Sequence, residues 1–324
     1  MNIKIEISYT TNQFIFLSEL SQWNDLICSI GRKKQILKVI GDLSEKEKEL
    51  LSDFTKIFQE SLSDPENIFL FEKEDRIWQK LKEKTKIEEF NQIKKIFEDF
   101  QDKFDIFWQK RKEELFQKEK AFKKNEELID RYLGIIKSLC DLGLKQESDE
   151  ILLKLIINLD ENDCQSWAFK NVVVLESAHS KKENISCHTL NIFLHECFHI
   201  FLKRNEALFS KVKRASEKVG LSLEGYNAEV VFEEALVSSF LPEGCLGQKI
   251  CKQLSTPKEK NGESQSFYQE KEIDVLTELR YFCAEKMNNL TKEYIEESKV
   301  LDDFFLEKIQ NCLNSFQKGN RETI

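Results

Sequence analysis

Ile192-Phe193-Leu194-His195-Glu196-Cys197-Phe198-His199-Ile200-Phe201-Leu202 is the stretch on which the reading of this chain turns. Apolar residues surround two histidines spaced i and i+4, which predicts a buried helix over residues 189–203. On a helix, that spacing puts both imidazoles on one face, with Cβ atoms about 5–6 Å apart. Two imidazoles so placed can converge on one Zn²⁺ at about 2.0–2.1 Å. Glu196 follows His195 directly, so its carboxylate falls beside such an ion rather than on it. That is the place for a general base acting on a metal-bound water. His195 and His199 are thus the expected metal ligands, and Glu196 the expected catalytic base.

A site of this kind needs a third protein ligand and an open position. Downstream, Asn227 to Phe240 has the pattern of another apolar helix and carries three candidates, Glu229, Glu233 and Glu234. Glu233 lies about 100° round the helix from Glu234, so the two cannot point equally at one ion. If Glu234 is the ligand, Glu233 should face away or hydrogen-bond a ligand from behind.

The HExxH motif followed by Glu233-Glu234-Ala235 resembles the gluzincin metallopeptidases, the thermolysin-like and aminopeptidase-like enzymes, over about residues 150–240. The resemblance implies that Glu234 is the third ligand of Zn²⁺, because the ligand Glu of that family commonly precedes a small residue. A small Ala235 would let two helices approach closely at the metal. Ser238 falls where thermolysin-like enzymes carry an Asp that supports a ligand histidine. The resemblance also implies hydrolysis of a peptide bond, with a peptide or protein as substrate. Tyr226 lies between the second His and the Glu, as does a Tyr in thermolysin-like enzymes, and is the expected donor to the oxyanion. Tyr281 and Tyr294 are the alternatives. Gluzincins bind substrate main chain against a strand at the cleft edge, and Trp167 to Val174 is the segment in position for it. No histidine follows His199, which excludes the metzincin pattern.

The other histidines read plainly. His188 shares the helix face but lies about 10 Å away along the axis, too far for a common ion. His179 reads as a surface loop residue. Cys197, two positions from His195, turns away from the metal face into the core.

Further out, the chain is punctuated by only 10 Gly and 3 Pro in 324 residues. That is too few turns for a sandwich or barrel of short strands, so a mainly helical protein is expected. Ile3, Ile5 and Ile7 alternate with polar residues as a short strand. Ser44 and Glu47 form a capping box ahead of a helix. Phe90, Ile93, Phe97, Phe100, Phe104 and Phe107 repeat at steps of 3 and 4, which reads as a long helix or helical hairpin between 88 and 139. Such a seam suits packing within the chain, with self-association through 90–107 as the second use. Residues 151–157 and 172–175 read as strands.

The expected fold is therefore α+β, mainly α. A zincin-like metallopeptidase core with a small sheet occupies 146–262. A helical region, 1–145, precedes it, and a helical region, 263–324, completes the cleft. The net charge of −9 with mixed-sign helix faces argues against nucleic acid as a partner. No run approaches the ~20 apolar residues of a membrane span. The alternating N-terminus is not a signal peptide. Nine scattered cysteines without a CxxC suggest reduced thiols and a cytoplasmic protein. The reading from another class is a non-catalytic helical interaction protein that keeps a structural or relic zinc site.

Overall fold

Ile3 and Ile5 belong to strand β1 (Asn2–Glu6), and the apolar run beginning at Ile151 lies beside it in parallel as β2 (Glu150–Ile157). The computed structural model describes residues 2–24, 30–60, 65–142, 150–157, 166–177, 185–219, 223, 226–254 and 274–321. They fall into two units, Asn2–Lys124 with Glu150–Asn184, and Asn125–Asp149 with Ile185–Ile324. The sheet belongs to the first and the HExxH helix to the second. Among the described residues the protein is mainly helical with one four-stranded sheet. No described helix is long and apolar enough to cross a membrane.

In the first unit the sheet order is β1-β2-β4-β3, with β3 spanning Ser166–Phe169 and β4 Val172–Ser177. β2 pairs with β4 in parallel, and β3 runs antiparallel to β4. The segment 167–174 is thus two strands rather than one. The chain turns at Lys170, whose φ of 57° is left-handed, so only β3 lies at the edge and Val172–Val174 are interior. β2 is buried along nearly its whole length, which is why it reads as an almost unbroken apolar run. Its exception, Lys154, is fully buried. It pairs with Glu6 at 3.3 Å and donates to Thr11 Oγ1 and the Glu72 carbonyl. A second buried ion pair joins Arg32 to Glu176 through two bonds of 2.7 and 3.0 Å.

Among the described residues, seven α-helices accompany this sheet: α1 (Tyr9–Ser21), α2 (Ile30–Ile40), α3 (Glu45–Glu60), α4 (Pro65–Phe71), α5 (Ile77–Lys84), α6 (Ile87–Asp99) and α7 (Gln101–Lys124). The Ser44–Glu47 box caps α3 in both directions. α1 is buried from Thr10 to Leu20, and Phe14 stacks on Phe69 at 4.4 Å in a cluster with Phe54 and Phe58. The Phe seam breaks at Phe100, between α6 and α7. Phe97 packs on Phe69 and Trp78, and Phe104 on Tyr9 and Phe16, all within the unit. The region 88–139 is accordingly three helices, the last being α8 (Glu126–Leu139) after a break at Asn125.

The second unit contains α8, α9 (Cys187–Arg204), α10 (Glu206–Ser216), α11 (Ala228–Ser238), α12 (Cys245–Leu254), α13 (Val275–Glu296) and α14 (Asp303–Arg321). Side-chain caps fix three starts that matter here. Ser186 accepts from Thr189 N at α9, Asn227 from Val230 N at α11, and Asp274 from Thr277 N at α13. α9 sits among α8, α10, α11 and α12, and its Leu190, Phe193, Leu194, Cys197, Phe198 and Phe201 are fully buried. α11 packs on α9, α13 and α14. Burial on all sides explains why α9 is apolar all round rather than on one stripe.

Candidate metal centre

His195 and His199 leave the same face of α9 one turn apart, and their Nε2 atoms lie 2.9 Å from each other. Both rings are buried and held from behind. The Leu241 carbonyl lies 2.9 Å from His195 Nδ1, and the Glu233 carboxylate 2.6 Å from His199 Nδ1. Both partners can only accept, so each Nδ1 donates, and each Nε2 is directed to the shared point. α11 brings Glu234 to the same point. Its Oε1 is 3.3 Å from His199 Nε2 and its Oε2 3.5 Å from His195 Nε2.

His195, His199 and Glu234 form a group that could hold a metal ion. An ion bound tetrahedrally at about 2.0–2.1 Å separates its ligand atoms by about 3.3 Å, which the two Glu234 distances match, while the two Nε2 atoms, 2.9 Å apart, would move slightly apart to hold one. The charges fit as well. Burial opposes a charge on His199, yet Glu234 and Glu233 outweigh it and raise its pKa to about 10. Burial likewise opposes ionised Glu234, but the two histidines hold its carboxyl well below the usual range. Glu233 is also lowered against burial, by His199 and by Lys203, whose Nζ is 2.9 Å away. With its pKa raised, His199 favours the protonated form, which sets a positive charge beside Glu233 and Glu234.

The expected residues are distributed as follows. His195, His199 and Glu234 come together. Glu196 is half-buried on α9, turned about 100° from His195. Glu229 pairs with Lys213 at 3.6 Å and is not at the cluster. Glu233 holds His199 from behind at Nδ1, the role that the resemblance gave to position 238. Ser238 instead accepts from Arg280 Nε at 2.9 Å. Tyr226 is exposed just before Asn227, and no hydrogen bond joins its hydroxyl to the three ligands among the described residues. Tyr281 is exposed on α13, whereas Tyr294 is buried and donates to Asp302 at 2.6 Å. Cys197 is core, as its spacing indicated. His179 lies outside the described residues.

Sequence reasoning missed Leu241, Lys203, Arg280 and Glu243. Lys203 had a signal, since it follows His199 by four and so shares its face. A backbone carbonyl such as that of Leu241 has none. Its position depends on the tight turn after α11, where Leu246 N and Gly247 N both donate to the Phe240 carbonyl. At Gly247 a Cβ would lie 2.0 Å from the Pro242 oxygen, so only glycine fits. No family model, curated protein or solved structure matches the chain.

Proposed function

We propose that this protein is a zinc-dependent metallopeptidase with a zincin-like core. The observation that carries the reading is the convergence of His195 Nε2, His199 Nε2 and Glu234, each histidine fixed by a bond at Nδ1, with Glu196 between the histidines. Two neutral imidazoles and a carboxylate are the protein ligand set of catalytic zinc, whose fourth position takes water or substrate. When bound, zinc lowers the pKa of a water molecule and polarises a carbonyl.

The chain's own residues supply the rest. Glu196 takes a proton from the attacking water as the C–O bond forms, then passes it to the amine nitrogen as the C–N bond breaks. Glu233 and the Leu241 carbonyl keep the imidazoles from rotating, so the ligand atoms need no reorganisation. Tyr226 is the proposed donor to the carbonyl oxygen, and the substrate a peptide or protein. A purely structural zinc site has no use for Glu196, which favours catalysis over a relic site in an interaction protein.

The test is digestion of a peptide library by zinc-loaded protein, with Glu196→Gln as the control. Wild type should cleave. The variant should keep its zinc and lose about 10²–10⁴-fold in rate. Equal cleavage by both would refute the mechanism, and zinc without cleavage in wild type would favour the structural reading.

A further inference from the structure

We infer that Arg280 is a positioning residue for the ligand carboxylate of Glu234, held in place by Ser238 and Glu243. The inference rests on the metal-centre reading and extends it to a third helix. Arg280 on α13 donates from Nε to Ser238 Oγ at 2.9 Å. Its Nη2 is 3.0 Å from Glu243 Oε1, and its Nε is 3.9 Å from Glu234 Oε2. Ser238 stands one turn beyond Glu234 on α11, so the guanidinium is seated on the helix that presents the ligand. Glu243 approaches from the turn that also carries the Leu241 carbonyl.

Nε is committed to Ser238 and meets Glu234 as a charge at 3.9 Å, so the planar guanidinium holds its cation in one place where a flexible lysine ammonium would not. Arg280 is therefore a rigid cation behind Glu234, as Lys203 is a cation behind Glu233. Oε1 of Glu234 faces His199, and Oε2 lies between His195 and Arg280. Without Arg280, the carboxylate can turn about its last torsion, and the third ligand loses its fixed direction. Partners that orient metal ligands in this way are worth about 10–100-fold in metal affinity.

The Glu243 side chain is 4% exposed, and among the described residues Arg280 is the cation within ion-pair distance of it. Removing Arg280 alone would leave that buried carboxylate without its partner and endanger the fold. The decisive variant is therefore Arg280→Gln with Glu243→Gln, which removes both charges together and leaves a neutral polar side chain at each position. Zinc affinity is measured by competition with a chromophoric chelator, alongside the unfolding temperature of the metal-free protein and the visible spectrum of the cobalt-loaded one. The double variant should bind zinc about 10–100-fold more weakly, with shifted cobalt bands and little change in unfolding temperature. Arg280→Lys should recover part of the affinity. If the double variant fails to fold, Ser238→Ala decides, with an expected loss of several-fold and the same direction of spectral shift. Wild-type affinity and spectrum in the folded double variant, or in Ser238→Ala where that variant decides, would overturn the role of Arg280 alone. A wild-type protein that binds no zinc would overturn the metal centre and this inference with it.

Discussion

Glu233 Oε1 lies 2.6 Å from His199 Nδ1, while the next residue in the chain, Glu234, faces the same imidazole from its Nε2 side at 3.3 Å. Two adjacent carboxylates thus address opposite nitrogens of one ring. The 100° step of the helix makes this division of labour possible: one residue can reach the metal position and its neighbour the back of the ligand. Glu233 accepts from Nδ1 and leaves Nε2 facing Glu234, the side on which the proposed ion would bind.

Replacing Glu233 should therefore weaken metal binding without removing a ligand. Glu233→Ala is expected to lower zinc affinity by about 10–100-fold, and Glu233→Gln by less, because the amide oxygen can still accept from Nδ1. Chelator competition measures both. Unchanged affinity in Glu233→Ala would show that the bond to His199 does not orient it.

The pH dependence has a defined sign. In the metal-free protein the His199 pKa is raised above its ordinary 6.5 to about 10. Its contribution to stability is fully present below about pH 6.5 and is lost as pH rises through about 10. Binding of a cation needs the neutral ring, so zinc must displace a proton throughout that window. Titration calorimetry at pH 7 in two buffers of different ionisation enthalpy should show release of about one proton per zinc. Heats that do not depend on the buffer would contradict the protonated metal-free state.

Gly247→Ala tests whether the turn after α11 serves the site. A Cβ there meets the Pro242 oxygen at 2.0 Å, so backbone must shift close to the carbonyl that holds His195. Overpacking of this kind costs about 1–3 kcal/mol. A lower unfolding temperature together with weaker zinc binding is expected. A variant that loses stability but binds zinc as wild type does would separate the turn from the site.

How much of this was legible in the sequence follows from how each residue gets its place. His195, His199 and Cys197 could be read directly, because a helix converts spacing into direction. Strands β1 and β2 could be read from alternation and from an apolar run. The break at Phe100 could not, since Phe97, Phe100 and Phe104 keep their spacing across it while the helix ends and restarts. The partners behind the ligands are set by folding over long intervals. Glu233 reaches His199 across 34 positions, Leu241 reaches His195 across 46, and Arg280 reaches Ser238 across 42. The 100° step already put Glu233 either facing away or behind a ligand, but nothing local encodes the contacts of Leu241 and Arg280. Ser238 looked like the support for a histidine only by resemblance, and the carboxylate that does the work sits five residues earlier.

Metal content tests the proposed centre most directly. Protein purified, loaded with zinc and dialysed should contain one zinc per chain by elemental analysis. His195→Ala and His199→Ala, treated in the same way and still folded, should contain none. Full zinc content in both variants would contradict the metal centre described here.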